Sequence, residues 1–208
     1  MTWDGENSES VTTPDQELAW ILRFKDGDQH GFLKILHRFE KPVINFAFRY
    51  LKDRSAAEDV AQEVFMEVFR NAQKFRPSGK LSTWIFKIAY NRCLDLLRRK
   101  KIVTFFSLES WFSTQDEESK NDIEDTLPSS PLGNLEKSEF QKAVAAALAS
   151  LPATQRAATL LAKYEDLPLE EVGRIMGISV GAVKQLIFRA KSTLKETLRP
   201  LLSENLQK

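Results

Sequence analysis

From Leu167 to Leu198 apolar side chains recur at intervals of three and four, and the rhythm breaks once, at Gly177. That spacing admits two helices joined by a tight turn and leaves no room for the alternation of a strand. Pro168 suits the first turn of the first helix, where its missing N–H costs least, and Glu170 and Glu171 suit the positive helix start. Val172, Ile175 and Met176 give that helix one apolar face, and Gly177 is expected to end it in a left-handed cap. Ser179 is a good N-cap for the second helix. Its buried stripe is Val183, Ile187, Ala190 and Leu194, and Lys184, Gln185, Arg189, Lys191 and Lys195 stand on the other side. Between Gly173 and Pro200 there are six Lys and Arg residues against one acid, Glu196. A short helix, a glycine turn and a longer basic helix form the arrangement that seats its second helix in the major groove. Gly181 lets that helix begin close to DNA. Lys184 and Gln185 are the expected base readers, and Arg189, Lys191 and Lys195 the expected phosphate contacts. The competing reading is an amphipathic hairpin with a solvated basic face; the coincidence of turn, cap and charge asymmetry favours the DNA reader. Leu151-Pro152 opens one more helix, whose Arg156, Ala157, Leu160, Leu161 and Tyr164 are expected to pack behind the reader.

Elsewhere helix follows helix. Breaks are expected at Asp26-Gly27-Asp28, near Pro42, at Lys52-Asp53-Arg54-Ser55 and at Pro77-Ser78-Gly79. Residues 104–133 change character, with Ser, Pro, Gly and acids surrounding Phe105, Phe106, Leu108, Trp111 and Phe112. The net charge of +1 conceals an arrangement: residues 1–100 carry 17 bases and 14 acids, 101–133 carry 2 and 7, and 134–208 carry 11 and 8. Two mildly basic bodies flank an acidic strip. The expected architecture is therefore all-α, with helical domains at 15–100 and 134–202 and an acidic linker at 101–133. The second domain is expected to be a helix-turn-helix of the winged-helix-like class without an evident wing. No apolar run reaches about 18 residues and residues 1–13 have no apolar signal core, so neither a membrane span nor secretion is expected. The single Cys93 cannot form an intrachain disulfide, which fits a reducing, cytoplasmic setting.

The first domain carries two surfaces of opposite sign. Residues 56–69, AAEDVAQEVFMEVF, place Val60, Val64 and Val68 on one stripe, widened by Ala61, Phe65 and Phe69, beside an acidic stripe of Asp59, Glu63 and Glu67. Residues 53–69 hold five acids and one base, a surface that repels DNA and whose partner, if it has one, is a protein. Residues 70–101 reverse this, with ten bases and one acid, Asp95. A loop from Phe75 to Ser82, carrying Arg76 and Lys80, leads into a helix at about Leu81. That helix buries Ile85, Ile88, Ala89, Cys93, Leu96 and Leu97 and turns Lys87, Asn91, Asp95, Arg98 and Arg99 outward. Bases interleaved with Phe75, Trp84 and Tyr90 suit an unpaired strand, whose phosphates the cations track while rings stack on its bases. Equally, Trp84 can belong to the core and Phe75 can plug the loop onto it. No glycine-rich phosphate loop, paired carboxylates, nucleophile triad or metal-ligand spacing is present in the sequence, so no catalysis, metal or cofactor is expected.

Taken together, these segments resemble sigma factors of the extracytoplasmic-function (ECF) group, promoter-specificity subunits of bacterial RNA polymerase. The matching segments are Gly27-Asp28 with Phe32 and Leu36, AAEDVAQEVFMEVF, Phe75 and WIFKIAYNRCLDLLRR. They continue with LPATQRAATLLAKYEDLPLEEVGRIMG and ISVGAVKQLIFRAKSTLKETL. The resemblance implies that Asp59, Gln62, Glu63 and Phe65 face the clamp helices of the polymerase's largest subunit. It implies that Phe75, Arg76, Lys80, Lys87, Asn91, Arg98 and Arg99 read and open the minus-ten element. Gly181, Lys184, Gln185, Arg189, Lys191 and Lys195 would read the minus-thirty-five element. An anti-sigma factor is the further partner implied, one that could hold the chain near a membrane without insertion. Pro168 and Ala182 depart from the Ser and Thr frequent in such proteins. The rival reading is an independent helix-turn-helix regulator, separable by whether specific DNA binding requires the core polymerase.

Overall fold

The computed structural model describes residues 14–77, 79–109 and 134–205, with side chains for 14–77, 79–99 and 140–199. Among the described residues eight α-helices follow one another: α1 (Pro14–Lys25), α2 (Gln29–Leu51), α3 (Arg54–Asn71), α4 (Leu81–Glu109), α5 (Asn134–Ser150), α6 (Ala153–Lys163), α7 (Leu169–Met176) and α8 (Val180–Asn205). A 3-10 turn, Ala72–Lys74, follows α3, and no strand occurs among the described residues.

The N-terminal cluster is built around α2, which packs on α1, α3 and α4. Asp28 caps α2 by accepting from the His30 N–H at 2.9 Å, and Asp53 caps α3 by accepting from the Ala56 N–H at 3.0 Å. Lys52 takes a left-handed conformation (φ 60°) and donates its N–H to the Phe48 carbonyl, which ends α2 without a glycine. Ile35, Phe39, Val43, Phe46 and Tyr50 lie on one face of α2 and are buried. Each such side chain contributes about 1.5–3 kcal/mol on leaving water. That face also explains why the break expected near Pro42 does not occur: α2 runs through the proline. The missing N–H costs one helical bond, and the buried residues on either side of it hold the helix together.

In α3 the valine stripe is buried as expected, and so are Ala61 and Phe65, but Phe69 is 52% exposed. Its ring lies 5.2 Å from those of Phe24 and Phe32, so it packs on the edge of the cluster rather than inside it. Gly31 is required where α1 crosses α2, since a Cβ there would sit 2.4 Å from the Trp20 carbonyl oxygen. Helix α4 continues to Glu109, so the first residues of the expected linker are helical. The side chains of the FFSLESWF segment and all of 110–133 fall outside the described residues.

In the C-terminal cluster α6 packs on α7 and α8, and α5 on α8. Gly177 adopts φ 69° and ends α7, and Ser179 accepts from the Ala182 N–H at 3.2 Å at the start of α8. Pro168 stands one residue before α7 rather than in its first turn. Gly173 matters more than the sequence suggests: a Cβ there would lie 2.8 Å from the Ile178 carbonyl oxygen in the turn. No helix among the described residues is long and apolar enough to cross a membrane.

Candidate nucleic-acid and partner interfaces

Helix α8 exposes the side chains that the sequence predicts to read DNA. Val183 and Ala190 are buried and Ile187 and Leu194 half-buried on its inner side, while Gly181, Lys184, Gln185, Arg189, Lys191 and Lys195 are exposed. Among these cations stands a residue the sequence reading passed over, Phe188, with 71% of its surface exposed. It lies four residues after Lys184 and three after Gln185, on the same face. The signal for it was available: Phe188 falls outside the buried stripe at helical spacing.

In α4 the inner side is Ile85, Ile88, Ala89 and Cys93, joined by Phe86 and Tyr90, and Leu96 and Leu97 are half-buried. Burial pushes the Cys93 thiol up to about 12 and raises the Tyr90 hydroxyl as well. Lys87, Asn91, Asp95, Arg98 and Arg99 form the exposed stripe, with Asp95 3.6 Å from Arg98. The aromatic residues do not stand among them as free platforms. Phe75 is only 5% exposed and its ring lies 5.4 Å from that of the half-buried Trp84. Lys25 donates to the Phe75 carbonyl at 3.2 Å, and Gln73 to the Lys25 carbonyl at 2.8 Å. Phe75 therefore plugs the loop onto the core, and Arg76 and Lys80 project from a loop whose base is fixed. Sequence spacing could not distinguish a plug from a platform, because both need a ring beside cations.

On α3, Asp59, Gln62 and Glu63 are exposed and Phe65 is buried. Gln62 and Phe65 line a groove of 840 Å³ between α2 and α3, whose apolar floor includes Leu36, Ile44 and Met66 and whose rim includes Glu40, Glu58 and Arg70. The acidic stripe is tied to the basic helix by Arg92, which reaches Glu67 at 2.5 Å and Glu63 at 3.6 Å. These carboxylates hold the Arg92 guanidinium above its ordinary range. Among the described residues no cation pairs with Asp59, so it and the exposed Gln62 are polar groups open to a partner.

The two clusters also meet each other. Arg156 donates from one nitrogen to the Tyr50 carbonyl at 2.8 Å, and from another to the carbonyls of Ala149 at 2.8 Å and Leu151 at 3.0 Å. The Arg49 guanidinium lies 4.5 Å from the centre of the Tyr164 ring. Arg156 and Tyr164 thus turn toward α2, not behind the reader helix as expected. Glu171, in the first turn of α7, is 4% exposed; it pairs with Lys80 at 2.5 Å and accepts from the Thr83 hydroxyl. Glu165 is half-buried, and desolvation raises its carboxyl to about 7 against the pull of Arg49 and Arg38. No group of three or more His, Cys, Asp or Glu side chains suited to a metal occurs among the described residues.

Comparison with known proteins gives this geometry a context. Residues 35–102 match the family described as Sigma-70 region 2, and residues 141–194 match Sigma-70, region 4. The chain is 31% identical over 183 residues to the ECF RNA polymerase sigma factor SigW of Bacillus subtilis, covering 87% of this chain and 96% of that protein. It is 29% identical over 198 residues to the RNA polymerase sigma-H factor of Pseudomonas aeruginosa, covering 93% and 100%. Among solved structures, CnrH in complex with the cytosolic domain of CnrY matches at 20% identity with a TM-score of 0.64, over 88% of this chain and 97% of that one. The Bartonella quintana sigma factor RpoE bound to the anti-sigma factor NepR matches at 20% identity with a TM-score of 0.63, over 81% and 96%. These last two similarities bear on the fold.

Proposed function

The chain belongs to the ECF sigma factors, directs RNA polymerase to promoters without catalytic chemistry of its own, and, we propose, divides that task among three surfaces. The observation that carries this division is the exposure of two separate basic stripes, on α4 and α8, in a chain whose α3 offers an acidic rim beside an apolar groove. Like charges on α3 repel DNA, so that face suits the polymerase. Asp59, Gln62, Glu63 and Phe65 meet the clamp helices of its largest subunit there.

Helix α8 enters the major groove of the minus-thirty-five element. Lys184 and Gln185 read base edges, and Arg189, Lys191 and Lys195 hold phosphates. Gly181 brings the helix start near the backbone. Phe188 belongs to this surface too, because an exposed ring among base-reading side chains suits the methyl group of a thymine. Arg76, Lys80, Lys87, Asn91, Arg98 and Arg99 receive the minus-ten element as it opens. Phe75 positions their loop. Cations aimed at an unstacked strand favour the melted state, and capture of flipped bases offsets a few kcal/mol of unpairing.

The units doing this work are 15–100 and 134–202, with the acidic segment 101–133 between them. An anti-sigma factor is the regulatory partner we assign, supported by the structural similarity to the sigma factor RpoE solved with the anti-sigma factor NepR. Action in the cytoplasm, where promoter and polymerase are, follows from the same reading.

Selection of upstream sequences by the polymerase-bound chain tests the assignment. Lys184→Ala with Gln185→Ala should change the selected consensus, whereas Lys195→Ala should weaken all sequences alike. The same consensus from wild type and the Lys184/Gln185 variant would contradict it.

A further inference from the structure

Helix α1 carries none of the residues assigned to DNA, yet its last residue holds the loop that does. The Lys25 ammonium donates to the Phe75 carbonyl at 3.2 Å, and the Gln73 amide donates to the Lys25 carbonyl at 2.8 Å. Each side chain thus grips the main chain of the other segment, across 50 and 48 residues of sequence. Lys25 ends α1, where carbonyls lack helical partners and a cation is favoured. Gln73 supplies a donor to one of those carbonyls. The Lys25 side chain is half-buried and pairs with no carboxylate among the described residues, so the Phe75 carbonyl is what fixes its ammonium.

That carbonyl shares a peptide plane with the Arg76 N–H, and the plane is rigid. Holding the oxygen therefore holds the point from which Arg76 leaves the core. The plane after Arg76 is held as well, since the Gly79 N–H donates to the Arg76 carbonyl at 3.0 Å. Pro77 stands between them with its φ set by its ring. Phe75 is anchored separately. Its ring is 5% exposed and packs on Trp84, and its N–H donates to the Ala72 carbonyl at 3.0 Å. The buried ring keeps the loop attached, and the clasp decides the direction in which Arg76 points.

We propose that Lys25 and Gln73 are positioning residues for the minus-ten element, and that through them α1 determines which base the loop accepts. The proposal rests on the reading of the loop before α4 as a strand-binding surface, and it adds the residues that set its selectivity. A base edge is distinguished by donors held at fixed places. A loop free to swing offers the same cation to any base. Loss of the clasp therefore costs selectivity and leaves the fold standing, because the Phe75 ring and the bond to Ala72 remain. The competing role for Lys25 is that of one more cation drawn toward the strand. Gln73 separates the two roles, since it bears no charge and is bonded to α1.

The test selects randomised minus-ten elements from open complexes formed by the full chain with core polymerase. Lys25→Met keeps the aliphatic stem and removes the donor; Gln73→Ala removes the other half of the clasp. In each, preference for the favoured base at the position the loop holds should fall about three- to tenfold, the effect of losing the prior ordering of one side chain. The double variant should fall no further than the worse single one, because the two act as a unit. Lys74→Met removes an exposed cation beside Gln73 without touching the clasp, and should keep the wild-type preference. In the free chain, nitrogen relaxation of the Arg76 amide should show a lower order parameter in Gln73→Ala than in wild type. Should Lys25→Met fail to fold, Gln73→Ala, an exposed position, and Lys74→Met decide the matter between them. Wild-type preference in Gln73→Ala, an equal loss in Lys74→Met, or additive losses in the double variant would each overturn the positioning role. An Arg76→Ala chain that keeps the wild-type preference would instead overturn the reading of the loop, and the selectivity with it. The Arg76 amide would still decide, on its own, whether the clasp holds the loop.

Discussion

Glu165 and Cys93 show how burial, rather than residue type, sets the chemistry of single side chains in this fold. Both acids are pushed up, to about 7 and about 12, and neither belongs to a catalytic constellation. A carboxyl raised above its ordinary 4.5 stabilises the folded chain fully below that value, and the contribution is lost as pH rises through about 7. Unfolding in urea at pH 5 and pH 8 should therefore show a midpoint falling with pH. Glu165→Gln should remove part of that fall and be the more stable chain at pH 8. Parallel pH dependences for the two proteins would show that Glu165 is ionised in the folded state throughout. At this scale the sequence was legible wherever one helix decides the environment: Val183, Ala190, Ile85 and Cys93 follow from spacing alone. It was not legible for Glu165, Glu171 or Arg156, whose partners lie on helices distant in the chain.

Among the elements, the turn between α7 and α8 is fixed by two glycines that act differently. Gly177 supplies the left-handed cap that the sequence predicts. Gly173 supplies space, because its missing side chain lets α7 approach the Ile178 carbonyl, which a Cβ would crowd to 2.8 Å. Gly173→Ala should cost roughly 1–3 kcal/mol, as overpacking usually does, even though alanine is the better helix former. The check is the urea midpoint of the variant, and a midpoint equal to wild type or above it would mean that the turn gives way freely. Gly173 looks like an ordinary weak point of a helix in sequence; only the fold shows what passes beside it. Pro42 misled in the opposite direction. Local chemistry predicts a break, and the buried face of Phe39, Val43 and Phe46 carries α2 through it. Caps, by contrast, were readable, since Ser179 bonds within three residues of itself.

The whole molecule is two helical clusters whose exposed basic stripes lie on different helices and whose contact engages Lys80. All-α architecture and the opposite signs of α3 and α4 could be read from periodicity and charge. The contact between the clusters could not, because it depends on how separate units meet. On the function proposed above, the loop before α4 and the exposed stripe of that helix open the promoter rather than merely attract DNA. Arg76→Ala with Lys87→Ala tests it most directly, since both side chains are exposed and neither takes part in the Glu171 contact. The measurement is permanganate reactivity of thymines in the downstream element, with core polymerase, on duplex and pre-melted bubble templates. Closed complexes should form near the wild-type level, with reduced reactivity on the duplex and recovery on the bubble. Wild-type thymine reactivity on the duplex, or a duplex defect that lowering the salt abolishes fully, would contradict it.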